Sequence, residues 1–454
     1  MERIALEKFI KWNENKRRKP LIVWGARQVG KTYLIKDIFA KTFYQNNHIY
    51  IDFKIEDDIN DFCSKTANAE KIIEYISLYK GKQINEKTLL IFDEVQECPN
   101  IVSALKYFCQ DFREIPVIAT GSMVRIKIQR ETNKRGGGEK FLFPVGKIDQ
   151  ITIYPMTFDE FLMNNNRVLY DKVKGAYESK TQLDSQIHML AIDQVYKYLL
   201  IGGMPEVVDA FIESGNLFEA REILKSLYDN YLSDMELYQA SREAILRSRT
   251  LFSNIYCELN KESKNFSPGL IEENSKTRDF ATSIEWLTMA HIINQSYQLK
   301  EHITMPLIKA EGGSFRLFLA DVGMFSYQSG INASSFIANN RENVLSGIFF
   351  ENYVAAELIA KGNPLFYWKG KSSCELEFII ESNNKLFPID VKKGRGVINS
   401  LEKFSNHNKY ECAVKISAGN YGYDESKKLL TIPFYFVAFI ADELARGIFS
   451  YKKN

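Results

Sequence analysis

The sequence predicts an α/β protein: a mostly parallel sheet with helices on both faces, then a helical middle region, a winged-helix segment and a second α/β region. Three observations predict it. Short β-rich runs at 21–24, 48–53, 89–93, 117–120 and 148–154 alternate with helical patterns, which calls for right-handed crossovers and parallel pairing. A glycine-containing segment, Gly25-Ala26-Arg27-Gln28-Val29-Gly30-Lys31-Thr32, joins the first run to a helical pattern. The third run ends in two adjacent acids, Asp93-Glu94.

The segment after the first run has the spacing of a phosphate-binding loop. Gly25 and Gly30 let the backbone turn tightly, so that consecutive N–H groups from Gly25 through Thr32 point at phosphate oxygens and the following helix adds its positive end. Lys31 would neutralise the β and γ phosphates of ATP, and Thr32 would give a hydroxyl to Mg²⁺. The flanking strand and helix patterns are the context this motif needs, so a chance match in a glycine turn is the weaker reading.

The run 89–93 is apolar until it reaches its carboxylates, and two charges at the end of a buried strand are costly unless they serve a metal or a reaction. Asp93 suits the outer shell of Mg²⁺. Glu94 suits the base that orients an attacking water. The plainer alternative is two exposed loop acids. The next run, 117–120, leads into Gly121-Ser122, where the Ser122 hydroxyl could touch the γ phosphate or the water, with Thr120 as its substitute; an ordinary turn serine is the alternative. Arg125, Arg130, Arg135 and Lys147 are candidates for a phosphate-contacting finger, against the plainer reading of solvated charges.

From 155 to about 260 the strand signal disappears, and apolar residues at 191–200 and 217–231 recur three and four apart, as in helices. Gly202-Gly203-Met204-Pro205 marks a turn between helices. A helical pattern at 282–293 followed by β-like runs at 296–299 and 315–319 suggests a winged helix-turn-helix. The 282–293 pattern contains no arginine or lysine, so any DNA contact there depends on neighbours such as Lys276 and Arg278, and a packing role is the simpler account. A helix at 345–360 then precedes strands near 365–368, 375–380, 386–392, 412–416 and 434–439.

Within that last region, a hairpin turning at Ser382-Asn383-Asn384 brings Glu377 opposite the neighbourhood of Asp390, and strand alternation puts Asp390 and Lys392 on one face. An acid followed by acid-x-lysine resembles the pattern of PD-(D/E)xK nucleases, a resemblance that implies acids holding Mg²⁺ and a lysine that helps activate water or steadies the phosphate. Glu351, on the preceding helix, is a further candidate ligand. A fold that keeps the shape without the chemistry is the competing reading.

Composition narrows the remaining classes. At 454 residues the chain exceeds one ordinary core. Its 59 basic and 57 acidic side chains nearly cancel, which gives no support for whole-molecule attraction to nucleic acid or membrane. The six cysteines are far apart, without a C-x-x-C pair, and read as reduced thiols. No run approaches the ~18 apolar residues of a membrane span and the N-terminus lacks a signal-like stretch. A cytoplasmic location is the expectation.

On the P-loop segment, the Asp93-Glu94 strand, Thr120-Gly121-Ser122, Tyr154-Pro155-Met156-Thr157-Phe158-Asp159-Glu160-Phe161 and Gly202-Gly203-Met204-Pro205-Glu206, the chain resembles the prokaryotic AAA-type ATPases that carry a C-terminal domain of unknown function with a restriction-endonuclease-like core. The resemblance implies an AAA+ core at 1–154, a helical lid at 155–260, a winged-helix segment at 261–330 and a nuclease-like domain at 331–454. It departs from the family at Gly146-Lys147, where Gly-Arg is usual, and a lysine cannot make the two-pronged contact of an arginine. The expected function is Mg²⁺-dependent ATP hydrolysis that moves a DNA- or partner-directed C-terminal half, in a chain that could assemble with copies of itself. The alternatives are an ATP-gated DNA nuclease and a nucleotide-switched binding module with little turnover.

Overall fold

The computed structural model describes residues 1–121, 143–238, 241–331, 333–338, 345–370, 374–393 and 399–451. The chain divides into two compact units, Arg3–Tyr154 and a second made of Pro155–Asn454 with Met1–Glu2.

The first unit is the parallel α/β core that its alternating runs predict. Strands β1 (Leu21–Trp24), β2 (His48–Asp52), β3 (Leu89–Asp93), β4 (Val117–Thr120) and β5 (Asp149–Thr152) pair in the order β2-β3-β4-β1-β5, every pair parallel. All residues of β1, β3 and β4 are buried, as expected of strands covered on both faces. The covering helices carry recognisable end signals. Ala69–Lys80 is capped by the Asn68 side chain and closed by left-handed Gly81, and Pro99–Asp111 starts on proline, each satisfying or sparing a terminal backbone group. One consequence of the strand order matters for function. The chain leaves β1 for the far edge at β2, returns through β3 and β4 to β1's side, and then adds β5 on the opposite side. The carboxyl end of β1 is therefore a topological switch point, where open α/β sheets form their ligand crevice.

In the second unit, residues up to 260 form helices, among them Phe158–Asn165, Arg167–Glu178, Ser185–Ile201, Pro205–Ser214 and Leu217–Tyr238. The Gly202-Gly203 turn fits too tightly for side chains. A Cβ on Gly203 would lie 2.0 Å from the Met156 carbonyl oxygen, and one on Gly202 would lie 2.4 Å from Asp321 Oδ1. The Asp321 carboxylate accepts from the Gly203 N–H at 2.7 Å, and burial lifts its pKa to about 6.

Beyond it, helix Ala281–Met289 precedes an antiparallel hairpin of β6 (Ile293–Gln298) and β7 (Phe315–Leu319). Strand β6 also pairs in parallel with β8 (Phe366–Lys369), which pairs with β9 (Glu375–Leu376), so residues on both sides of position 330 share one sheet. Helix Gly347–Ala360 lies between these strands in sequence. A second sheet holds β10 (Phe378–Ser382), β11 (Lys385–Val391), β12 (Ala413–Ser417), β13 (Gly422–Asp424) and β14 (Leu429–Pro433), in the order β10-β11-β12-β14-β13. The β10–β11 turn is Asn383-Asn384, both with positive φ of 50° and 58°, as a two-residue hairpin loop of matching twist requires.

One expected strand is corrected. Residues 434–439 form a short 3₁₀ turn, Phe434–Phe436, running into helix Val437–Ala445. An apolar aromatic run buried from Phe434 to Ala438, with Phe439 half-buried, reads equally well as either element. Among the described residues no helix is long and apolar enough to cross a membrane.

Candidate functional site

Two loops meet above the carboxyl ends of β1 and β3. The loop after β1 turns sharply: φ is +143° at Gly25, +61° at Gln28 and +83° at Gly30. Gly25 permits both the turn and a close approach, since a Cβ there would lie 2.2 Å from the Ile153 carbonyl oxygen. After Gly30 the chain enters a helix, and Tyr33–Ala40 winds in wide π-type turns.

Lys31 is buried, and its Nζ donates to the carbonyls of Gly25 (3.0 Å) and Ala26 (2.7 Å) within its own loop. Burial lowers its pKa to about 8, against the opposing pull of the Glu94 and Asp93 charges. Asp93 ends β3, and its Oδ2 accepts from Thr32 Oγ1 at 2.7 Å and from the Tyr50 hydroxyl at 2.9 Å. Its Oδ1 accepts from the Glu94 N–H at 2.8 Å. Glu94 itself has φ +51°, a strained conformation for a non-glycine residue that re-aims its side chain at the end of the strand. Burial raises its pKa, while a short hydrogen bond from Gln96 Nε2 works the other way.

The sequence-predicted Lys31, Thr32, Asp93 and Glu94 thus stand together. Thr32 and Asp93 offer the hydroxyl and carboxylate oxygens that Mg²⁺ prefers, so the donor set fits that ion. Thr120 lies at the end of β4, between β1 and β3, but its hydroxyl donates to the Val23 carbonyl at 3.3 Å inside the sheet. Ser122, Arg125, Arg130 and Arg135 lie outside the described residues. Lys147 is half-buried in a turn whose N–H bonds to the Pro144 carbonyl.

Two members of the site left no signal in the sequence. Tyr50 reaches Asp93 only because β2 and β3 pair with Asp52 beside Asp93. Arg3 donates from Nη1 to the Val29 carbonyl (3.0 Å) and from Nη2 to the Tyr154 carbonyl (2.8 Å), tying the phosphate loop to the chain just beyond β5.

In the second unit, Glu351, Glu377, Asp390 and Lys392 also come together, all three acids being buried. Lys392 Nζ lies 2.8 Å from Asp390 Oδ1 and 3.7 Å from Glu377 Oε1. Burial, reinforced by Glu377, lifts the Asp390 pKa to about 7, and burial raises Glu351 as well. Residues that sequence reading did not place here join them: Lys264 Nζ is 2.6 and 2.8 Å from the two Glu351 oxygens, and Arg316 Nη2 is 2.6 Å from Glu375 Oε1. Elsewhere in this unit, a cavity of about 550 Å³ lies between helix Ala281–Met289 and the β6–β7 hairpin, with Arg278, Glu285, Tyr297 and Lys309 on its walls.

Residues 17–162 match the family described as AAA domain, residues 192–335 the domain of unknown function DUF8612, and residues 346–435 the domain of unknown function DUF4143. A similar curated protein is the uncharacterized protein MJ1637 of Methanocaldococcus jannaschii, 28% identical over 210 residues. That match covers 44% of this chain and 41% of the relative, so less than half of the relative's length is spanned. Among solved structures, AMPPCP-bound DnaA from Aquifex aeolicus is 19% identical with a TM-score of 0.27, covering 63% of this chain and 86% of that one. DnaA bound to AMPPCP and single-stranded DNA is 16% identical with a TM-score of 0.27, covering 63% and 85%. Protein VC1899 from Vibrio cholerae is 12% identical with a TM-score of 0.19, covering 97% and 100%. The AAA-domain match, lying over the unit that carries Lys31, Thr32, Asp93 and Glu94, supports an AAA-type ATPase core that binds nucleotide.

Proposed function

We propose that the chain binds ATP with Mg²⁺ at the β1 loop and hydrolyses it, and that the nucleotide cycle acts on a DNA- or partner-directed C-terminal half. The observation that carries this reading is the convergence of Lys31, Thr32, Asp93 and Glu94, with Thr32 Oγ1 2.7 Å from Asp93 Oδ2. The loop amides from Gly25 to Thr32 would cradle the phosphates, and Lys31 would leave its loop carbonyls to meet their charge. Mg²⁺, when bound, supplies charge neutralisation at the β and γ phosphates. Thr32 and Asp93 would hold that ion, Glu94 would accept the proton of the attacking water or orient it, and Gln96, whose Nε2 donates to Glu94 Oε2, would steady Glu94. Phosphate release by the parent chain and by Glu94→Gln tests the assignment: the variant should bind ATP and release phosphate at least about a hundredfold more slowly, in the range of a lost general base. Equal rates would remove Glu94 from the mechanism.

The second reading, an ATP-gated DNA nuclease, is favoured by the grouping of Glu351, Glu377, Asp390 and Lys392 beside the β10–β11 hairpin. Its test is cleavage of DNA with Mg²⁺ or Mn²⁺ by the parent and by Asp390→Ala; absence of metal-dependent cutting in the parent removes it. The lysine contacts in this cluster do not fit a resident cation, and no cleavage step follows from it.

A further inference from the structure

The Arg3–Tyr154 unit carries a group of cations at the end of its sheet opposite the phosphate loop. Helix Leu6–Glu14 ends just before Lys16-Arg17-Arg18-Lys19, and Pro20 leads into β1. Hydrogen bonds fix this segment: Asn15 Oδ1 accepts from the Arg17 N–H at 2.9 Å, Trp12 Nε1 donates to the Lys19 carbonyl at 2.8 Å, and the Lys19 N–H donates to Asp149 Oδ2 at 2.9 Å. Arg113, in the loop before β4, joins it from 95 residues away in sequence. Its Nε donates to the Arg18 carbonyl at 3.1 Å and its Nη2 to the Arg17 carbonyl at 2.7 Å, while Arg18 Nη2 donates to the Glu114 carbonyl at 3.1 Å. The four residues of β1, about 13 Å of strand, separate these cations from Gly25.

Both guanidinium groups direct these bonds to neutral backbone carbonyls, so the clamp leaves their charge uncancelled. Among the described residues Lys16, Arg17, Arg18, Lys19 and Arg113 form no ion pair with a carboxylate, and Arg18 Nε is buried without a hydrogen-bond partner. Lys16, Arg17 and Arg113 are exposed, and Arg18 and Lys19 half-buried. Against these five and Lys147 stand Glu14, Asp111, Glu114 and Asp149, so positive charge is in local excess although the whole chain is nearly neutral. The kind of partner follows from what surrounds the charges. A protein-binding surface centres on exposed apolar or aromatic side chains, and a membrane-binding one inserts them. Residues 13–19 contain none, and Trp12 is buried. A contiguous polar and basic strip matches the phosphates of a nucleic acid, whose protein interfaces have that character, and arginine forks fit phosphate oxygens.

We propose that Lys16, Arg17 and Lys19, held in place by the Arg18–Arg113 clamp, bind the phosphodiester backbone of a nucleic acid on the nucleotide-binding unit itself. This contact is separate from the C-terminal half of the proposed function, and its test reads nucleic-acid binding rather than phosphate release, so the two fail separately. The full chain is titrated into fluorescently labelled duplex DNA, single-stranded DNA and RNA, with anisotropy followed at several salt concentrations. The parent should bind at least one of them. Combined Lys16→Ala, Arg17→Ala and Lys19→Ala should weaken that binding at least tenfold, and on duplex DNA should make the slope of log affinity against log salt shallower by about 2–3. ATP binding should be unchanged. Combined Lys54→Ala, Lys65→Ala and Lys71→Ala removes the same charge from the crossover between β2 and β3 and should keep parental binding. A loss confined to the first variant supports the proposal, and the arm in which it appears names the kind of strand. No binding by the parent, retained binding in the first variant, or equal loss in both variants overturns it. Binding by these residues to phosphatidylserine vesicles, with none to nucleic acid, overturns it as well. Should the first variant fail to fold, Arg17→Glu alone takes its place under the same outcomes.

Discussion

Asp93 Oδ2 accepts from both Thr32 Oγ1 (2.7 Å) and the Tyr50 hydroxyl (2.9 Å), which locks the acid at the end of β3 to the first helical turn after the phosphate loop. The two donors have different weight. In the proposed mechanism Thr32 would offer a metal ligand, whereas Tyr50 would only orient the carboxylate. Thr32→Ala should therefore raise the Mg²⁺ concentration needed for half-maximal phosphate release by tenfold or more, about 1.4 kcal/mol. Tyr50→Phe should cost about 1 kcal/mol of stability and shift that Mg²⁺ requirement far less. Magnesium titrations of steady-state turnover compare them.

Lys31 carries a pH signature. Burial brings its pKa down to about 8 from an ordinary 10.5, so between those values the unfolded chain holds a proton that the folded chain has shed, and stability rises with pH across that window. A bound triphosphate favours the charged form and reverses the shift. ATP binding at about pH 9 should thus take up a proton, and affinity should weaken as pH rises above 8. Calorimetry in buffers of different ionisation enthalpy measures the uptake.

Arg3 closes the loop from outside. Arg3→Ala removes donors from the Val29 and Tyr154 carbonyls and should cost about 1–3 kcal/mol, seen as a lower melting temperature. ATP affinity should fall with it, and Arg3→Lys should recover part of both.

Gly25→Ala should abolish nucleotide binding or folding of the first unit, because the new Cβ would meet the Ile153 carbonyl oxygen at 2.2 Å at a φ of +143°. Fluorescent-nucleotide binding checks the first outcome and circular dichroism the second.

In the second unit, Glu357 Oε1 accepts from the Phe158 N–H at 2.8 Å. Burial, then Asp159, raise its pKa to about 8; Glu160 adds to this, while Lys361, bound to Asp159 at 2.7 Å, opposes it. The folded chain thus holds a proton that the unfolded chain loses above the ordinary value near 4.5, and the stability that comes with it fades as pH rises through about 8. Glu357→Gln should flatten that decline and exceed the parent in stability at about pH 8.5, by on the order of 1–2 kcal/mol. Urea midpoints across pH measure it.

The nucleotide core was legible because its signals are local. Leu21–Trp24 and Leu89–Asp93 are apolar strands whose ends carry chemistry, and the glycines of the first loop are demanded by geometry within a few residues. Hairpin chemistry was equally local at Asn383-Asn384. What escaped depends on contacts distant in sequence. Arg3 meets Val29 and Tyr154, Tyr50 meets Asp93 across a strand pair, and Lys264 and Arg316 enter the acidic cluster from more than thirty residues before Glu351. The misread run at 434–439 failed for another reason: an unbroken apolar run carries no period that separates helix from strand.

The most direct test is a calorimetric titration of Mg²⁺-ATP into the parent chain and into Lys31→Ala. One nucleotide per chain should bind the parent, and the variant should bind at least tenfold more weakly, about 1.4 kcal/mol. Equal affinity in both, or no heat of binding in the parent, would contradict a triphosphate seated on the loop from Gly25 to Thr32.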